Sequence, residues 1–317
     1  IVNAHPQAAF GRSTKGVTPL HIAVVFGTSE IIRFIYEANP EAASQQTTNG
    51  TIPLHGVKDK DTTLMLIQGF PRGVCVRGYN RNLPLHAAAY SPTASPEVVK
   101  LLIGAGKRYH LGGENGNGGV LVKNEEGDTS LSLVCKFIEE RFGWDQLNFA
   151  GHNQWKKLIS IARAAYMALK GDHPCKKSIS PCQIHQEKNP QLQELRILHL
   201  LVALRCPAVV IWHALQMYPH QSKEQDQHGQ YPLTIASKNV LTDSSVIKML
   251  LHEFAGAAAI PCAVSRRLPL VLSIAAGREY DDGLREILHA APSAIEARDP
   301  ETGLYPFMIA ALGETCS

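Results

Sequence analysis

Thr18-Pro19-Leu20-His21-Ile22-Ala23 decides the reading, because it comes back along the chain. Ile52-Pro53-Leu54-His55 and Leu83-Pro84-Leu85-His86-Ala87-Ala88 repeat it. Tyr231-Pro232-Leu233-Thr234-Ile235-Ala236, Leu268-Pro269-Leu270 and Tyr305-Pro306-Phe307-Met308-Ile309-Ala310 follow. The prolines stand 34 and 31 residues apart, then, after a gap, 37 and 37. Weaker copies, Thr129-Ser130-Leu131-Ser132-Leu133 and His199-Leu200-Leu201-Val202-Ala203, fill that gap. A fixed period of this length marks a repeat array.

Each copy has a second half. Ser29-Glu30-Ile31-Ile32-Arg33-Phe34-Ile35-Tyr36 carries apolar residues at helical spacing, as do Val98-Val99-Lys100-Leu101-Leu102, Val246-Ile247-Lys248-Met249-Leu250-Leu251 and Leu284-Arg285-Glu286-Ile287-Leu288. A unit is therefore predicted as a turn, a short helix, a turn and a second helix. Proline at the first helical position gives up an N–H that has no partner there anyway. Thr18 and Ser95, just before Pro19 and Pro96, are predicted N-caps, worth about 1 kcal/mol each. Ala23, Ala87, Ala236 and Ala310 let helices approach closely. Helices of this length are marginal alone in water, so several units must stack to bury their apolar stripes.

The phrase, its period and the second-helix pattern resemble ankyrin repeats, whose signature is Thr-Pro-Leu-His-x-Ala. The resemblance covers residues 1–110 and 191–317 well and 111–190 poorly, which sets out two repeat blocks around a degenerate, insertion-bearing middle. After the second helix, the chain carries His5-Pro6-Gln7-Ala8, Asn39-Pro40-Glu41-Ala42 and Ala291-Pro292-Ser293-Ala294, a variant similar to ankyrin repeats common in microalgal proteins. The resemblance implies an all-α solenoid with turns projecting as fingers. It further implies a structural role for His21, His55 and His86, each hydrogen-bonding to the adjoining repeat. Thr234, Val271 and Met308 occupy that slot later, so the C-terminal repeats are expected to lack the brace and to open more easily.

In the middle, Gly112-Gly113-Glu114-Asn115-Gly116-Asn117-Gly118-Gly119 reads as an extended finger tip; it lacks the spacing of a phosphate-binding loop. Trp155, Leu158, Ile159, Ala162, Tyr166 and Leu169 form one apolar face, predicted as the second helix of the degenerate unit, with a partner-binding helix as the alternative. His173, Cys175, Cys182 and His185 are the one set with ligand chemistry, but the six-residue gap between the cysteines is wider than in usual zinc modules. An unliganded loop is the preferred reading, with a zinc site or a disulfide as the alternatives, and no cofactor is expected.

The remaining bulk properties exclude more than they assign. Net charge is +3 over 317 residues, and the basic pairs Lys156–Lys157, Lys176–Lys177 and Arg266–Arg267 are scattered, which argues against nucleic acid. Seven cysteines without a dense framework read as free thiols in a reducing compartment, hence an intracellular, cytoplasmic protein. The longest uncharged stretch, Cys206 to Ser222, holds two prolines and two histidines and makes a poor membrane span. The chain opens on Ile1 and its last copy stops after Gly313, which reads as a fragment truncated at both ends. Nucleophile-elbow, phosphate-loop and His-Glu-x-x-His signatures are absent, so no enzyme is expected. The Asn49-Gly50-Thr51 sequon reads as a tight turn.

The function implied by the resemblance is a monomeric, non-catalytic scaffold that grips a protein partner between fingers and first helices. Its contact candidates are Thr48, Asn49, Arg81, Glu125, Glu126, Gln227, His228, Arg266, Arg267 and Glu301. The alternative is the regulatory or targeting portion of a larger enzyme or channel.

Overall fold

Proline after a polar or extended residue starts a helix wherever the phrase recurs in strong form, with one exception. The computed structural model describes residues 6–111, 117–142, 153–170 and 196–313. Among these there is no strand, and the chain is an all-α array of paired helices. They fall into two compact units. The first holds α1 (Pro19–Phe26), α2 (Ser29–Ala38), α3 (Lys60–Gly69), α4 (Pro84–Tyr90), α5 (Pro96–Arg108), α6 (Ser130–Phe142) and α7 (Asn153–Lys170). The second holds α8 (Ile197–Ala203), α9 (Ala208–Met217), α10 (Pro232–Ser237), α11 (Ser244–Glu253), α12 (Pro269–Ala275), α13 (Arg285–Ala290) and α14 (Pro306–Gly313).

Within each unit the helices make two layers, as in a solenoid. In the first, α1 packs on the turn at residues 53–56, which packs on α4, while α2, α3, α5 and α7 follow one another in the second layer. In the second unit α8, α10, α12 and α14 stack as first helices, and α9, α11 and α13 as second helices. The core is correspondingly aliphatic: Leu20, Ile52, Leu54, Leu83, Leu85 and Val98 in one unit, Leu198, Leu201, Val210, Ile211, Ile247 and Leu270 in the other.

The local chemistry of α1 is as expected. Thr18 is extended, its hydroxyl accepts from the His21 amide, and the His21 ring accepts in turn from the Thr18 amide at 3.2 Å, closing a reciprocal cap. Gly27 then lets the chain turn tightly: a Cβ there would lie 2.7 Å from the Ala23 carbonyl oxygen. Thr28 caps α2 directly afterwards. The Pro-x-Ala segments become single 3-10 turns, at Pro40–Ser44 and Pro292–Glu296, and the buried Ala42, Ala43 and Ala294 seat them against the helices.

Three expectations are corrected. The first helix of the second repeat is only a 3-10 turn, Pro53–Gly56, because Asp59 already caps α3 by accepting from the Thr62 amide at 2.8 Å. Ser95 occupies the N-cap position of α5, but its side chain caps no amide; its own N–H donates to the Lys58 carbonyl at 2.8 Å. On α7, Trp155, Leu158 and Ala162 are buried as predicted, whereas Leu169 is 64% exposed and Ile159 and Tyr166 are half-buried. The buried face instead includes Lys157, whose ammonium donates to the carbonyls of Ala88 at 3.0 Å and Ser91 at 2.5 Å, at the end of α4. Those carbonyls have no helical partner and carry the negative end of the helix dipole, so an ammonium is the group that suits them.

Candidate functional site

The fingers are built to one plan. Three residues before the motif proline, Gly16, Gly50, Gly229 and Gly303 take positive φ, between 67° and 77°. A polar side chain closes the turn in front of them: Ser13 accepts from Lys15 and Val17, Asp226 from His228 and Gln230. Two fingers break the pattern. Arg81 (φ 55°) and Arg266 (φ 57°) hold the glycine slot in the left-handed region, and Asn80 joins Arg81 there. For such residues this conformation costs about 1–2 kcal/mol, and strain of this kind clusters at functional positions.

Histidines tie the second, third and fourth fingers to the repeat before each. The Nε2–H of His21 donates to the Thr51 carbonyl at 3.1 Å, that of His55 to Asn82 at 3.0 Å, and that of His86 to Val122 at 2.9 Å. Nδ1 of each accepts the amide three residues earlier, so the ring is neutral with its proton on Nε2. Burial lowers all three pKa values, against the opposing pull of the carbonyl bonds. A fourth brace went unassigned in the sequence: His199 donates to the Glu224 carbonyl at 3.0 Å. Its copy lacks the proline, yet the imidazole falls at the right place in the period, which was the available signal.

In the later repeats the slot is filled as the sequence says, and Thr234 is buried with no partner for its hydroxyl. A different tie appears there. Arg267 grips Asp299 with two bonds of 2.8 and 2.7 Å and reaches Glu301 at 3.0 Å. Arg278, fully buried, donates to the carbonyls of Asn239, Thr242 and Asp282.

The contact candidates thus divide. Thr48, Asn49, Arg81, Glu125, Glu126, Gln227, His228, Arg266 and Glu301 are exposed on finger tips. Arg267 is instead held by Asp299, and Glu126 accepts from the Asn80 side chain at 2.9 Å. In the first unit, Lys15, Ile22, Val25, Phe26, Thr48 and Asn49 line a groove of about 480 Å³ between the first two fingers and their first helices. Its floor is apolar and open to solvent: Phe26 is 83% and Ile22 54% exposed. Sequence reading missed this floor, because an apolar residue on a short amphipathic helix is assigned to the core.

Other chemistry is sparse. His173, Cys175, Cys182 and His185 lie outside the described residues. Among the described residues no group of three or more His, Cys, Asp or Glu side chains could hold a metal ion. Burial works against ionisation of Cys262, but the Ser265 hydroxyl, the amides of Ser265 and Val264, and the Lys238 ammonium 3.3 Å from the sulfur bring its pKa down to about 7. No described helix is long and apolar enough to cross a membrane.

No family model and no curated protein sequence matches the chain. Among solved structures it is similar to the ankyrin repeat domain of Bcl-3, described as a unique member of the IkappaB protein family. Identity is 20%, coverage is 93% of this chain and 95% of that one, and the TM-score is 0.33. At that TM-score the fold rests on the unit geometry itself and not on the likeness. The recurring motif, two-layer helix stacking and histidine brace make the fold an all-α repeat array that resembles ankyrin repeats.

Proposed function

We propose that this chain is a non-catalytic scaffold that binds a protein partner on its fingers and first helices. One observation carries the reading: Ile22, Val25 and Phe26 turn an apolar strip to solvent beside polar finger tips, although the same helix buries Leu20, Ala23 and Val24. An exposed apolar strip with a polar rim is the anatomy of an interface. A repeat array extends such a surface unit by unit. Thr48, Asn49 and Arg81 would serve the first unit, and Gln227, His228 and Arg266 the second; Arg267 is reserved for holding Asp299.

The test is affinity capture from source-cell lysate with the wild-type chain and with Phe26→Glu. Phe26 is the most exposed of the three, so the change leaves the core intact. A protein kept by the first bait and lost with the second supports the reading. Equal retention by both baits, or none by either, would count against it.

A further inference from the structure

The partner's chemistry is legible in the fingers. Residues 11–18, 45–51 and 76–82 contain Arg12, Lys15, Arg77 and Arg81 and not one Asp or Glu. Among the described residues none of these four cations is ion-paired. Arg12 and Arg77 donate only to backbone carbonyls, those of Gln46 for the first and of Arg81 and Lys123 for the second. The acids of this unit stand elsewhere: Glu30, Glu37, Asp61 and Glu97 on the second helices, Glu41 and Asp59 at helix ends, Glu139 and Glu140 on α6, and Glu125, Glu126 and Asp128 on the fourth finger.

The three fingers are joined edge to edge. The Thr48 amide donates to the Lys15 carbonyl at 3.0 Å, and the Tyr79 amide to the Thr51 hydroxyl at 3.4 Å. The cations therefore lie along one run of joined fingers: Lys15 lines the groove over Ile22, Val25 and Phe26, and Arg77 and Arg81 continue the run on the next finger. The fourth finger ends it with the exposed Glu125 and Glu126, the latter accepting from Asn80 of the third finger at 2.9 Å. Arg81 is part of the edge at the expense of backbone strain, where the first two fingers use glycine.

We propose that this edge and floor recognise an acidic peptide segment carrying one apolar anchor, the carboxylates against the fingers and the anchor on Phe26. This rests on the protein-binding reading above. Helices packed 8–10 Å apart set three fingers about 20 Å from end to end, which an extended segment of roughly six residues spans. Opposite charge across a rim steers encounter and fixes orientation, while the buried anchor supplies most of the affinity.

The experiment is selection of a random dodecapeptide display library on the full chain, followed by fluorescence anisotropy with the winning peptides. Selected peptides should be rich in Asp and Glu and share one Leu, Phe or Trp. Lys15→Glu/Arg77→Glu/Arg81→Glu should weaken them about tenfold or more, with unchanged circular dichroism, and Arg266→Glu in the second unit should not. Lys15→Gln/Arg81→Gln should show a smaller loss, and Phe26→Ser should remove the preference for the apolar residue. Peptides that are not acidic, or that tolerate the charge reversal within twofold, overturn the proposed chemistry and leave the scaffold reading standing. Retention of no peptide at all overturns both.

Discussion

Acid should loosen the second unit through a single imidazole, His199. Its Nε2–H is committed to the Glu224 carbonyl, and its Nδ1 is buried without a partner. Protonation would place a charged N–H where nothing accepts it. Burial accordingly brings the pKa from 6.5 down to about 4, although the nearby Asp226 pulls upward. A folded-state value below the unfolded one means the folded state resists the proton. The contribution to stability is thus complete above pH 6.5 and drains away as pH falls toward 4. Those two values set its size, roughly 2–3 kcal/mol between pH 7 and pH 4.5. Urea unfolding followed by circular dichroism, at both pH values, would measure it in the wild type and in His199→Gln, which keeps an N–H donor but does not titrate. The other braces titrate identically in both proteins and cancel in the comparison. If wild type and variant lose equal stability over that interval, His199 is not held neutral and the fourth brace is wrongly assigned.

Two further outcomes can be checked on the same protein. Arg267→Ala removes the only charged partner of the fully buried Asp299 carboxylate among the described residues, leaving it the Thr302 amide and hydroxyl, and should cost about 3 kcal/mol in urea unfolding at pH 7, whereas Glu301→Ala, on the exposed side of the same cluster, should cost less than about 1 kcal/mol. Because Arg267 first of all holds the Asp299 carboxyl far below the usual carboxylate range, the stability it adds is present at neutral pH and lost only in strong acid. Arg81→Gly removes the left-handed strain at the third finger and should raise the melting temperature by the equivalent of about 0.5–1 kcal/mol, less than the full strain because glycine also frees the unfolded chain; Arg81→Val should lower it.

The helix pairs were legible because the phrase and its period are local and repeated. His21, His55 and His86 could be assigned for the same reason: each sits two residues after a proline that fixes its place. Three features were not legible, each for a physical reason. The 3-10 turn at Pro53 depends on how soon Asp59 caps the following helix, a competition between neighbours that periodicity does not record. Lys157 reads as surface, and only the carbonyl ends of α4 explain its burial. The strained slots at Arg81 and Arg266 were within reach, since Gly16, Gly50, Gly229 and Gly303 mark the position. The exposed floor at Phe26 is invisible to pattern alone, because the pattern that predicts a buried stripe cannot say which part of it a neighbour covers.

The buried ammonium of Lys157 has a consequence for the order of assembly. Each histidine brace joins points 25–36 positions apart, so one repeat can settle as soon as the next is present. Lys157 closes 69 positions to Ala88 and 66 to Ser91, and the longer loop adds about 0.7 kcal/mol of closure entropy. It also needs α4 already finished, since its ligands are that helix's terminal carbonyls. The early repeats can zip one upon the next, but α7 must wait for a completed seat: it is a latch that locks the first unit after the rest of it has formed.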